Sequence, residues 1–159
     1  MQDVVQKYEL GVGAKQVCIS AHFIDPGPWV YADIGMIERV LSNLIDNALR
    51  HTPEGSSIAL TLQGQTGGSV RVWVSDTGTG IPDELLFGLF ERESPLRRTS
   101  SKLQGGGLGL LIARRILELH GGTIQATSRE GQGATFEFDL PVAPMPPNPS
   151  LESNPTADR

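Results

Sequence analysis

Residues 33–55 read DIGMIERVLSNLIDNALRHTPEG, and the organisation of the whole chain follows from this stretch. Ile34, Ile37, Val40, Leu41, Leu44, Ile45, Ala48 and Leu49 recur at three- and four-residue spacing, which puts them on one broad stripe of an α-helix. Asp33 can cap that helix, which then runs from Ile34 to about His51. Thr52-Pro53 stops it, and Glu54-Gly55 turns the chain. The same stretch carries Asn43, Asn47 and Arg50 at i, i+4 and i+7. At about 100° per residue they fall within roughly 60° of one another, away from the apolar stripe. Two carboxamides and a guanidinium on one ridge suit a metal–phosphate group, with amide oxygen to a hard cation and Arg to phosphate oxygens. The ridge also fits an ordinary solvated helix face, although two asparagines in mid-helix run against propensity.

Outward from this helix the chain alternates strands and helices. Strands are expected at Val17/Ile19/Ala21/Phe23, Ile58/Leu60/Leu62, Val70/Val72/Val74, Ile124/Ala126 and Phe136/Phe138/Leu140, where apolar residues alternate. A second helix runs over Leu108–His120 and ends at Gly121-Gly122, and a shorter one follows Pro82 over Asp83–Phe90. Gly64, Gly67 and Gly68 form a hairpin-like link, so pairing is largely antiparallel. The fold class is α+β, an α/β two-layer sandwich with a mixed, mostly antiparallel sheet covered on one face by about three helices.

Composition bounds the rest. The 159 residues are 38% apolar, 19% charged and 6% aromatic, which is material for one domain. With 13 Lys+Arg against 18 Asp+Glu and no basic run, nucleic acid is not an expected partner. Cys18 has no internal disulfide partner, and no Cys/His set has zinc spacing, so a cytoplasmic chain without zinc is expected. No apolar stretch reaches the ~18–20 residues of a membrane span. From Pro141 onward lie six of the 11 prolines and none of the 19 glycines, which reads as a disordered tail or linker. The expected division is a lead-in at 1–15 loosened by Gly11 and Gly13, a folded domain at 16–142, and a Pro-rich tail at 143–159.

Two further polar clusters sit at element ends. SDTGTGIP (75–82) follows the Val70–Val74 strand. Its Asp76 could accept hydrogen bonds from a ligand, such as the exocyclic amine of adenine, while Gly78 and Gly80 let backbone approach closely. An ordinary Asp-Thr-Gly turn has the same composition. GGGLGL (105–110) opens the last helix, where exposed amides make an anion site; flexible linkers look alike. Neither the dinucleotide fingerprint nor a Gly-Lys-Ser/Thr phosphate loop is present.

Asn47, Asp76 and Gly105 follow one another at intervals of about thirty residues. This order resembles the ATP-binding domain of bacterial sensor histidine kinases, in the ATPase superfamily shared with gyrase, the large heat-shock chaperones and the mismatch-repair ATPases. NLIDNALRHTPEG looks like the N box, DTGTGIP the first glycine box, GGGLGL the second and LFERE a partial F box. LHGGTIQATSREGQGATFEFDLP is similar to the closing helix, strand and hairpin. The resemblance covers about residues 28–141 and implies the Bergerat ATP-binding fold.

It also implies roles. Asn47 would hold Mg²⁺, with Asn43 near the metal or phosphates and Arg50 and His51 by the phosphates or ribose. Asp76 would bind the adenine amine in a pocket shaped by Gly78, Gly80 and Ile81, with Thr135 assisting. Gly105, Gly107, Leu108, Gly109 and Leu110 would wrap the phosphates of ATP. Residues 83–104, with Arg92, Arg97, Arg98 and Lys102, would form a lid. The F box departs from the family pattern, since Glu93 stands where a second aromatic is usual. ATP-hydrolysing relatives typically carry Glu four residues before the metal-binding Asn, and here that residue is Asn43, which is no general base. The resemblance therefore favours phosphoryl transfer over hydrolysis. None of His22, His51 and His120 has the family's phosphoacceptor context. His120 reads as a helix-end residue favourable to the macrodipole. The expected partners are a His-containing dimerisation domain of the same full-length kinase and a downstream response regulator. The chain itself is expected to be monomeric, and the full-length protein a homodimer. A related hydrolase, a protein serine kinase and a degenerate nucleotide- or partner-binding domain are the alternatives.

Overall fold

A computed structural model describes residues 2–9, 16–24, 29–91 and 108–142. Along them run helix α1 (Gln2–Glu9), strand β1 (Cys18–Phe23), helix α2 (Ile34–His51) and strands β2 (Ser57–Gln65) and β3 (Ser69–Asp76). The short helix α3 (Asp83–Leu86), helix α4 (Leu108–Leu119) and strands β4 (Thr123–Ser128) and β5 (Ala134–Pro141) follow. The strands form one sheet in the order β1-β2-β3-β5-β4. β1 and β2 are parallel because α2 intervenes and carries the chain back across the sheet. The other pairings are antiparallel, and the architecture is the expected α+β sandwich.

Alternation decides which side meets the helices. β3 buries Val70, Val72, Val74 and Asp76, while Ser69, Arg71, Trp73 and Ser75 leave by the other face. β5 likewise buries Ala134, Phe136, Phe138 and Leu140. Against them pack Val40, Leu41, Leu44, Ile45 and Ala48 of α2 and Leu110, Ala113, Ile116 and Leu117 of α4. Each fully buried Leu, Ile or Phe contributes about 1.5–3 kcal/mol, so this layer is the main source of stability. Asp33 caps α2 as expected, its Oδ1 accepting the Met36 N–H at 2.9 Å. Ile34 departs from the expected stripe and is exposed, because the buried part of the helix begins at Val40.

Three further departures concern element ends. Residues 2–9 are a helix with Val4 and Val5 in the core, and the Tyr8 hydroxyl donates to Asp46 of α2 at 2.9 Å. α3 ends at Leu86 rather than Phe90, giving way to turns closed by Leu89 N–H to Leu86 and Glu91 N–H to Gly88. α4 ends one residue before His120. The outer sheet face is polar: Arg71 makes two bonds to Asp139 (2.7 and 2.8 Å), and the Trp73 indole donates to Glu137 at 3.0 Å. No helix among the described residues is long and apolar enough to cross a membrane.

Candidate functional site

β3 delivers Asp76 to the sheet face that meets the helices, where it is 8% exposed. Its water is partly replaced by the Gly78 N–H, which donates to Oδ1 at 2.8 Å, and by the Ala134 N–H. Burial holds the carboxyl above the usual carboxylate range, and the two N–H bonds and nearby His51 only partly oppose it. A carboxylate offers about four lone-pair sites, so acceptor capacity remains for a further donor.

The loop after Asp76 is fastened to the end of α2. Thr79 N–H donates to the His51 carbonyl at 3.1 Å. A Cβ on Gly78 would come within 2.4 Å of that carbonyl oxygen and 2.8 Å of Asp76 Oδ1, so only glycine lets the loop lie this close. Asp76, the exposed ring of His51 and the loop through Gly80 and Ile81 thus form one unit.

The start of α4 meets the same helix about two turns earlier. A Cβ on Gly109 would lie 3.4 Å from Asn43 Oδ1 and 3.5 Å from its Cγ. Asn43 Nδ2 is buried with no hydrogen-bond partner among the described residues. An orphaned buried donor costs about 1–3 kcal/mol, which makes it a candidate contact for a ligand acceptor. Asn47 is half-buried and Arg50 exposed, farther along α2; Leu110 is buried and Leu108 exposed. Gly105, Gly107, Glu93 and the cations of the expected lid, Arg92, Arg97, Arg98 and Lys102, lie outside the described residues. Of the F box, Phe90 packs edge-on against Phe136 at 6.3 Å, and Arg114 of α4 donates to its carbonyl at 3.3 Å.

One expected site residue is not where the sequence reading put it. Thr135 pairs with Ser75, and its hydroxyl donates to Ser75 Oγ at 2.9 Å. It leaves the sheet by the face opposite Asp76, because side chains alternate and Ala134 takes the inner position. What assists Asp76 is instead the backbone N–H of Ala134.

The turn between β4 and β5 braces the site, and the sequence reading gave it no role. Ser128 Oγ accepts the Ile81 N–H at 2.8 Å and donates to the Gly133 carbonyl at 2.6 Å. Gly131 N–H donates to the Thr79 carbonyl at 2.7 Å. Gly80 passes so close to Arg129 that a Cβ would lie 2.1 Å from its carbonyl oxygen. The paired glycines of REGQG were the only signal, and they read equally as a plain hairpin turn.

The donor set limits what cation the site could take. Among the described residues no group of three or more His, Cys, Asp and Glu could hold a metal. The α2 ridge offers carboxamide oxygen, which suits a hard cation that keeps its waters and arrives on phosphate oxygens. Mg²⁺ carried by a nucleotide fits those terms, and the orphaned Asn43 Nδ2 beside Gly109 fits a phosphate acceptor.

Residues 32–144 match the model of the histidine kinase-, DNA gyrase B-, and HSP90-like ATPases. The chain belongs to this family. It is similar to the adaptive-response sensory kinase SasA of Crocosphaera subtropica, with 40% identity over 141 residues, 89% of this chain and 37% of that protein. It is also similar in structure to full-length ShkA in complex with AMPPNP, with a TM-score of 0.78, 32% identity and coverage of 89% of this chain and 29% of that one. Histidine kinase ThkA in complex with response regulator protein TrrA gives a TM-score of 0.71 and 31% identity, covering 89% and 39%. Fold and family are those of an ATP-binding histidine kinase catalytic domain. The chain spans little more than a third of the length of the curated relative.

Proposed function

We propose that this chain binds Mg-ATP and donates the γ-phosphoryl group to a histidine on a dimerisation domain of the same full-length kinase. The observation that carries the reading is Asp76, a buried carboxylate with acceptor capacity to spare, fastened through its loop to the end of α2. In this reading Asp76 accepts the adenine amine, and Gly78, Gly80 and Ile81 line the base. Asn47 offers its amide oxygen to Mg²⁺. Asn43, Arg50 and His51 face the phosphates or ribose, and the amides of Gly105, Gly107, Leu108, Gly109 and Leu110 hold the phosphates. Bound Mg²⁺ supplies positive charge at the transferring phosphate.

The chain's own residues decide where the phosphoryl group goes. A carboxamide takes no proton near neutral pH, so Asn43 activates no water, and the triphosphate is held for an outside nucleophile. The full-length protein is a homodimer in this proposal and passes phosphate to a response regulator, and the domain works in the cytoplasm.

Calorimetric titration of Mg-ATP into the chain and into Asp76→Asn tests the reading. Saturable one-site binding, abolished by the substitution and followed by no phosphate release, is expected. With a histidine-bearing dimerisation domain added, label is expected on that domain and not on this chain. Absence of binding by the parent chain overturns the proposal, and steady phosphate release would move it to the hydrolases.

A further inference from the structure

His120 joins the two helices of the site at the ends far from it. Its Nδ1 lies 2.8 Å from the Ile116 carbonyl oxygen, and its Nε2 lies 3.1 Å from the Asp33 backbone nitrogen. A carbonyl only accepts and an amide N–H only donates, so Nδ1 carries the proton and Nε2 accepts. The ring is a neutral bridge from the last turn of α4 to the N-cap of α2, where the sequence suggested a side chain serving the helix dipole. The Asp33 carboxylate makes a separate bond, its Oδ1 accepting the Met36 N–H at 2.9 Å.

The two helices meet a second time where Gly109 abuts Asn43. Asp33 and Asn43 are ten residues apart, and Gly109 and His120 eleven. At 1.5 Å per residue these spans are about 15 and about 16.5 Å, so two antiparallel helices are pinned at both ends of nearly matched lengths. Between the pins lie Val40 and Leu41 of α2 and Ala113, Ile116 and Leu117 of α4, all buried. Apolar burial is non-directional, and it holds the helices together without fixing how far one slides along the other.

We infer that His120 is a positioning residue: by locking the register of α4 on α2, it sets where the first amides of α4 stand relative to Asn43 and Asn47. Its consequence for nucleotide binding rests on the Mg-ATP reading above; the bridge itself does not. Two substitutions separate the halves of the ring. In His120→Gln the amide oxygen reaches the place of Nε2 and can accept the Asp33 N–H. In His120→Asn the shorter amide reaches only the place of Nδ1 and keeps the bond to Ile116.

The expected result is Mg-ATP affinity within about twofold of the parent for His120→Gln and about three- to tenfold weaker for His120→Asn, the worth of one hydrogen bond. Both are measured well below the unfolding transition, with unchanged far-UV circular dichroism. In the nucleotide-free ¹⁵N-labelled chain, His120 should show the Nδ1–H tautomer. The side-chain amide signals of Asn43 and Asn47 should move in His120→Asn and stay in place in His120→Gln. An Nε2–H tautomer, or amide signals and affinity unchanged in His120→Asn, overturns the inference. If the parent chain binds no Mg-ATP, the functional reading falls, and the amide signals still decide whether the bridge positions the site.

Discussion

Asp76 is a buried carboxylate whose desolvation costs the fold stability. Its carboxyl is raised by burial above its ordinary value of 3.8, so between that value and the raised one the folded chain binds more protons than the unfolded. Stability of the free chain should therefore fall as pH rises through this window, opposite in sign to a carboxylate paired with a cation. Asp76→Asn is expected to remove that fall and to unfold at the same or a higher temperature near neutral pH while losing nucleotide. Urea unfolding at a series of pH values checks the sign. Thr135→Val makes the converse test. Because its hydroxyl serves Ser75 on the outer face, Mg-ATP affinity should stay within about twofold of the parent by titration, as expected for sites that share no partner. Asp76 was legible as a candidate site residue because an acidic residue followed by spaced glycines is a local pattern. The inner place held by Ala134 was not, because it depends on strand register, which shifts every side chain to the other face with a one-residue slip.

At the scale of elements, α2 was read almost residue for residue. Its stripe apart from Ile34, its Asp33 cap and its Thr52-Pro53 stop agree, and eighteen residues repeat the period several times. α1 was missed because eight residues hold little more than two turns, and Val4, Val5 and Tyr8 do not repeat a pattern. Its burial makes a prediction. Val5→Ala should cost about 1–3 kcal/mol in chemical denaturation, whereas a loose lead-in would tolerate it within about 0.5 kcal/mol. The bracing of the glycine loop by Ser128 and Gly131 was likewise invisible, since those bonds join segments about fifty residues apart in the chain.

For the molecule as a whole, folding and ligand binding are linked. If ATP binds only the folded chain, a hundredfold excess over Kd adds about 2.7 kcal/mol of stability, and the melting temperature should rise with nucleotide concentration. Chelating Mg²⁺ should shrink that rise without lowering the melting temperature of the nucleotide-free chain. In the proposed reading the α2 ridge offers carboxamide oxygen alone, so the cation would arrive with the nucleotide. Thermal scans with ATP, with ATP plus chelator and with neither separate these terms.

What the sequence determined by itself is whatever repeats or reads locally: the stripe and caps of α2, the alternation of the strands, and the order of the asparagine ridge, the Asp-x-Gly-x-Gly loop and the glycine-rich helix start. Those patterns are written in side-chain chemistry at short range, and they were enough to reach the family. Only the tertiary structure decided that Thr135 faces away from Asp76, that the Ala134 amide faces toward it, and that Asn43 lies against Gly109 with its Nδ2 buried. Only there does His120 reach Asp33. Each of these depends on backbone groups brought together from distant parts of the chain, and a backbone N–H or carbonyl is the same in every residue that could supply it.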